Sequence, residues 1–137
     1  MKQARKRILA IDDDAGIRSL LSHVLRRAGY EVALAVDGAE GLRSIEAHAP
    51  DLVLCDLHMP VMDGFAMLEF VRSKRSTAAV PFILLTAMDD RRNVLRGLRL
   101  GVDDFLGKPV RPEALVESVR EALDKRRRVD PWTAPWR

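Results

Sequence analysis

A single cysteine among 137 residues, Cys55, excludes an intramolecular disulfide, and its place inside an apolar run marks it as a buried structural thiol. Long apolar runs are also missing. "LVLC" and "FILL" fall far short of the roughly 20 residues that a membrane-spanning helix needs, so no membrane role is expected. The basic start "MKQARKR" leads into a strand-like run rather than a signal-type apolar core, and the expected location is the cytoplasm. No Cys/His cluster has the spacing of a zinc site. No glycine-rich loop follows the first apolar run, which argues against a dinucleotide or flavin site: "DDDAGIR" offers carboxylates where a phosphate would need backbone N–H groups.

The net charge of +3 suggests a nucleic-acid surface only until it is located. Residues 1 to 7 carry four basic groups and no acidic one, and residues 124 to 137 carry five basic against two acidic, which leaves the body of the chain at −4. The basic excess belongs to the two ends, so direct nucleic-acid binding by the folded body is not expected.

What is present is an alternation. Five short runs rich in Val, Ile and Leu (Ile8 to Ile11, Val32 to Val36, Leu52 to Cys55, Phe82 to Leu85, and Phe105 to Leu106) are separated by segments of helical period. Ile17, Leu20, Leu21, Val24, Leu25 and Ala28 form an apolar stripe closed by Gly29. A second helix follows Asp37-Gly38 with Ala39, Leu42 and Ile45 inward. A third begins near Asp63-Gly64 and carries Phe65, Leu68 and Val71. The fourth has a narrower stripe of Val94, Leu95 and Leu98 among Arg91, Arg92, Arg96 and Arg99. The fifth starts with Pro112 in its first turn and shows Leu115, Val116, Val119 and Leu123. This is an α/β pattern: a doubly wound, five-stranded parallel sheet with five helices, strand order 2-1-3-4-5, ending near Lys125. Residues 126 to 137, with Trp132 and Trp136, read as a tail or the start of a linker.

In that order the polar residues at strand ends acquire meaning. Asp12 and Asp13 follow the first strand, Asp56 the third and Thr86 the fourth, and Lys108 lies two residues past the fifth. All belong to the carboxyl edge of the sheet, where open α/β folds bind ligands, and strands one and three are neighbours there. Three converging carboxylates repel by on the order of 1 kcal/mol per pair near a surface. A divalent cation relieves this, and an oxygen-only donor set suits Mg²⁺, or Mn²⁺ in its place. Lys108 adds an ammonium and Thr86 a hydroxyl, which together describe a pocket for a phosphoryl group beside a carboxylate. A lone Asp after a strand is usually a turn or helix-cap residue. That reading is assigned to Asp14, Asp37, Asp51, Asp63, Asp89, Asp90, Asp103 and Asp104.

"ILAIDDD", "DLVLCDLHMPVMDG", "PFILLTA" and "DDFLGKP" occur in this order, and with them the chain resembles the receiver domain of two-component response regulators, over roughly residues 6 to 125. The resemblance implies a flavodoxin-like fold. It implies Asp56 as the acceptor of a phosphoryl group from a sensor histidine kinase, a histidine phosphotransfer protein or a small donor such as acetyl phosphate. Asp13, Asp56 and the main-chain carbonyl of His58 would hold Mg²⁺, with Asp12 acting through water. Lys108 would pair with the phosphoryl group, Thr86 would move to bond it, and a cis peptide before Pro109 would aim Lys108 inward. Phe105 occupies the aromatic switch position; it is either that switch or a permanent core side chain. His58 and Met88 lie where relatives tune self-dephosphorylation, with no direction assigned.

The resemblance further implies an output face of helix 4, strand 5 and helix 5, serving a homodimer or a downstream effector domain. No enzymatic activity is implied beyond self-phosphotransfer and autodephosphorylation at Asp56. A degenerate receiver that only docks partners would lack part of this set, and the set is complete. A phosphatase of the haloacid dehalogenase type would need a second Asp two positions after Asp56, where His58 stands.

Overall fold

The computed structural model describes residues 4–87 and 91–128, with side chains of the last helix described as far as Lys125. Met88, Asp89, Asp90, Trp132 and Trp136 lie outside the described residues. Strands and helices alternate throughout: β1 (Arg7–Ile11), α1 (Ala15–Arg27), β2 (Glu31–Ala35), α2 (Gly38–Ala47), β3 (Leu52–Asp56), α3 (Gly64–Ser73), β4 (Phe82–Thr86), α4 (Arg91–Leu100), β5 (Asp104–Gly107) and α5 (Pro112–Arg128). The strands form one parallel sheet in the order β2-β1-β3-β4-β5, as the alternation required. Ile11 stands opposite Cys55 in the β1–β3 register, so the residues that follow them, Asp12 and Asp56, leave the sheet side by side.

Successive strand residues point to opposite faces, so two cores form. Ile8, Ala10, Leu54, Ile83 and Leu85 pack with Leu21 and Leu25 of α1 and Leu115 and Val119 of α5. Leu9, Ile11, Val53, Cys55, Phe82 and Leu84 pack with Phe65, Met67 and Leu68 of α3. Burial of a side chain such as Leu21 or Leu25, each at 0% exposure, contributes roughly 1.5–3 kcal/mol. Central β3 and β4 are buried along their whole length, which is why their sequences run apolar without alternation. The face covered by α1 and α5 leaves edge strand β2 partly open. Leu34 there floors a groove of about 640 Å³ walled by Arg18, Ser22, Arg26 and Arg27 of α1.

The helix starts are fixed by aspartates. Asp14, Asp37 and Asp63 each accept a backbone N–H three residues on, from Ile17, Glu40 and Ala66, at 3.1, 2.8 and 2.9 Å. Gly29 and Gly101, at φ 100° and 92°, close α1 and α4, and the following Tyr30 and Val102 donate back to Leu25 and Gly97 carbonyls.

Four expectations are corrected. On α2, Ala39 points outward, and Gly38 and Gly41 make the contact face beside Ile45; a Cβ on Gly41 would lie 2.7 Å from Ile11 Cδ1, so the helix approaches the sheet through glycine. On α4, Leu95 and Leu98 are 48% and 58% exposed, and Gly97 is the buried residue, because the Phe105 ring occupies the space beneath it. Asp51, Asp103 and Asp104 serve distant groups, Asp51 accepting the Arg7 N–H at the start of β1 at 2.7 Å. The Asp103 carboxylate accepts the Phe82 N–H at 2.7 Å and pairs with Arg72 at 2.8 Å, satisfying the first donor of β4, and Asp104 opens β5 and accepts from Ser118. Finally, α5 continues to Arg128, three residues beyond the expected end.

Candidate functional site

The acidic rim is built by adjacent parallel strands ending in polar residues. Asp12 is completely buried. Its N–H donates to the Ala35 carbonyl at 3.1 Å, and its Oδ1 accepts the Asp14 N–H at 2.9 Å. Asp56, the last residue of β3, is 3% exposed. Asp13, between Asp12 and the Asp14 cap, is exposed, and one carboxylate oxygen from each of Asp12, Asp13 and Asp56 lies within 4.8 Å of the others.

Lys108 reaches this cluster from the loop after β5. Its Nζ stands 2.9 Å from Asp56 Oδ1 and 3.1 Å from Asp12 Oδ2. The peptide between Lys108 and Pro109 is cis, and the Lys108 N–H donates to the Thr86 carbonyl at 2.8 Å. One ammonium faces three carboxylates, and Asp12 Oδ2, buried, makes no well-aligned hydrogen bond among the described residues. Residual negative charge and an oxygen-only donor set fit a hard divalent cation, Mg²⁺ or Mn²⁺.

Burial pushes the Asp56 carboxyl above its ordinary range; the Lys108 hydrogen bond works against that shift and the Asp12 charge adds to it. For Lys108, burial favours the neutral amine, but the bonds and charges of Asp56 and Asp12 outweigh it and the net shift is upward. Neighbouring Cys55 has its thiol pushed well up, first by burial and then by the charges of Asp56 and Asp12, so it stays protonated and inert at neutral pH.

The remaining expected residues are placed as follows. Thr86 is buried at the end of β4, one register step beyond Leu85, which pairs with Asp56. The His58 N–H approaches Asp56 Oδ1 at 3.4 Å, and the residue is exposed. Phe105 is half-buried with its ring against Gly97 of α4, so it is neither fully in the core nor free of it. Pro109 is exposed. Met88 is outside the described residues.

Two features of the site were not expected. A Cβ on Gly64 would meet the Asp56 carbonyl at 2.8 Å and Leu57 Cα at 2.9 Å, so glycine lets α3 begin directly against the end of β3; "MDG" signalled the turn but not this approach. Arg18 of α1 donates from Nη1 to the Asp12 carbonyl at 2.8 Å. On a helix an arginine looks like part of a solvated face, and no spacing marks it.

A family model described as the response regulator receiver domain matches residues 8–120. The DNA-binding response regulator MtrA of Mycobacterium tuberculosis is 41% identical over 123 residues, 90% of this chain and 53% of that protein. The probable transcriptional regulator ycf27 of Porphyridium aerugineum is 40% identical over 126 residues, 92% of this chain and 50% of its own. The chain thus spans about half the length of these curated relatives. Among solved structures, a chemotaxis protein of Vibrio cholerae, CheY4, aligns with TM-score 0.83 at 34% identity, covering 87% of this chain and 99% of its own. A putative response regulator from Chloroflexus aurantiacus aligns with TM-score 0.84 at 36% identity, covering 88% and 99%.

Proposed function

The chain belongs to the receiver-domain family of two-component response regulators, and from that premise we propose that Asp56 is its phosphoryl acceptor and that Asp12 and Asp13 are the other carboxylates of a Mg²⁺ site. The observation that carries this is the bridging of Asp12 and Asp56 by Lys108 at 3.1 and 2.9 Å, with Asp13 completing a group of oxygens within 4.8 Å.

In the proposed reaction an Asp56 carboxylate oxygen attacks the phosphorus of a phosphohistidine on a sensor kinase or phosphotransfer protein. The P–N bond breaks with its electron pair leaving on the imidazole, and an acyl phosphate forms. The His58 carbonyl would complete the oxygen donors for Mg²⁺, which when bound would supply the positive charge that lets an anionic donor approach three carboxylates. Lys108 would hold the transferred group, and Thr86, buried at the same rim, would donate its hydroxyl to it. Phosphorylation adds charge and acceptor oxygens beside Thr86, and the proposed consequence is a shift in α4, β5 and α5, where Phe105 already touches Gly97. His58 borders the acceptor and is proposed to influence how long the acyl phosphate survives.

The MtrA relatives are named as DNA-binding response regulators, which supports an output of the same kind, control of a DNA-binding effector, and Arg91, Arg92, Arg96 and Arg99 give α4 a positive charge suited to an acidic partner or a second copy. Among the described residues no helix is long and apolar enough to cross a membrane.

Intact-mass measurement after incubation with acetyl phosphate and Mg²⁺ tests the assignment. Wild-type protein should gain one phosphoryl group, and Asp56→Asn should gain none. An equal gain in Asp56→Asn would remove Asp56 as acceptor.

A further inference from the structure

Arg18 closes the turn that carries the three aspartates from two sides. Its backbone N–H donates to the Asp14 carbonyl at 3.0 Å, as the first helical bond of α1, and its side chain reaches back to the Asp12 carbonyl at 2.8 Å. Within the turn, Asp12 Oδ1 accepts from Asp14 N and Asp14 Oδ1 accepts from Ile17 N. Asp12 is therefore held at its N–H by Ala35, at one carboxylate oxygen by Asp14, at the other by the Lys108 charge, and at its carbonyl by Arg18.

Asp13 differs. It is the exposed member of the group, and among the described residues its carboxylate accepts no hydrogen bond. What directs that carboxylate is the peptide plane leading into it, whose oxygen is the Asp12 carbonyl. Pinning that oxygen fixes the plane against the mutual repulsion of three adjacent acidic residues, and a guanidinium is suited to the task because it stays charged and its donors are set in a rigid fork.

We infer that Arg18 is a positioning residue for the divalent cation: it ligates nothing, but by holding the Asp12–Asp13 peptide it keeps the Asp13 carboxylate within reach of Asp12 and Asp56. The inference rests on the reading of the acidic rim as a metal site. Residues that orient metal ligands without touching the metal typically change affinity by about 10- to 100-fold when removed. One well-aligned bond through the backbone belongs at the lower end of that range.

The test is cation binding by the full chain, followed by the electron paramagnetic resonance of Mn²⁺ and by its displacement with Mg²⁺. Arg18→Ala should weaken binding about tenfold, and Arg18→Lys, which keeps the charge and one donor, should recover part of the loss. Arg27→Ala removes the same charge from the same helix without touching the turn, and it should bind as wild type does. In metal-free protein, amide hydrogen exchange at Asp14 and Ile17 should quicken in Arg18→Ala and not in Arg27→Ala. With acetyl phosphate, the Mg²⁺ concentration for half-maximal phosphorylation should rise while the rate at saturating Mg²⁺ is kept.

Unchanged affinity in Arg18→Ala, or equal weakening in Arg27→Ala, overturns the role of Arg18 and leaves the metal site standing. Failure of the wild-type chain to bind either ion overturns both. If Arg18→Ala is unfolded at the temperature of measurement, Arg18→Gln takes its place under the same criteria.

Discussion

Lys108 Nζ lies 2.9 Å from Asp56 Oδ1, so the carboxylate that ends β3 is already engaged by a cation from the loop after β5. The same ammonium is 3.1 Å from Asp12, which makes it the counter-ion for two buried carboxylates. Its folded pKa is raised, so its contribution to stability is complete below the ordinary lysine range and is lost only as pH climbs through the folded value. Lys108→Met should therefore destabilise the metal-free protein near neutral pH by about 2 kcal/mol, measured by urea unfolding; partial exposure of the ammonium keeps this below the full cost of breaking a buried pair. Adding Asp56→Asn should return part of the loss, and strict additivity of the two changes would contradict the pairing.

Asp56 has linkage of the same sign in a lower pH window. Its folded pKa is raised, so the fold favours the protonated form, and its contribution to stability falls as pH rises from the ordinary carboxylate range through the folded value. Asp56→Asn should raise the stability of the EDTA-treated protein at pH 7 by about 1 kcal/mol. The gain should vanish below the ordinary aspartate range, where both states are protonated. Thermal midpoints from pH 4 to 8 would show it, and a gain that grows toward acid would refute the assigned sign.

Val61 carries a β-branched side chain at φ 69° and is fully exposed in the loop between β3 and α3. A non-glycine residue pays roughly 1–2 kcal/mol for this left-handed conformation, with no burial here to offset it. Val61→Gly should stabilise the protein by about 0.5–1 kcal/mol after the extra chain entropy of glycine is subtracted. A loss of stability in urea would show that the side chain has an unrecognised role.

Gly97 and Phe105 form a matched pair. A Cβ at Gly97 would lie 2.4 Å from Phe105 Cζ, so Gly97→Ala forces the ring to move and should cost about 1–3 kcal/mol. Phe105→Leu in the same chain should recover at least half of that cost. If the double variant is as unstable as the sum of the two, the ring is not what the added methyl meets.

Much of this was legible in the sequence because it depends on periodicity and on strand ends. Uninterrupted apolar strands required a parallel sheet with helices on both faces, and the strand order then placed Asp12 and Asp56 together; Lys108 followed from its position after β5. What escaped notice depends on tertiary approach. Gly38, Gly41 and Gly97 bury nothing that an apolar pattern registers, yet they are where α2 and α4 touch their neighbours, which is why Ala39, Leu95 and Leu98 were misread as inward. Asp103 was given a local role because the partner of its carboxylate, Arg72, is far away in sequence. Arg18 was missed because its bond is to a carbonyl, and every residue has one.

Arg72 donates to the carbonyls of Ala78, Val80 and Gly101 as well as to Asp103, tying the last turn of α4 to the α3–β4 connection. At its other end α4 begins at Arg91, and along its length it meets the Phe105 ring through Gly97. A displacement of α4 that keeps these bonds is therefore a swing with its pivot at Gly101, smallest there and largest near Arg91.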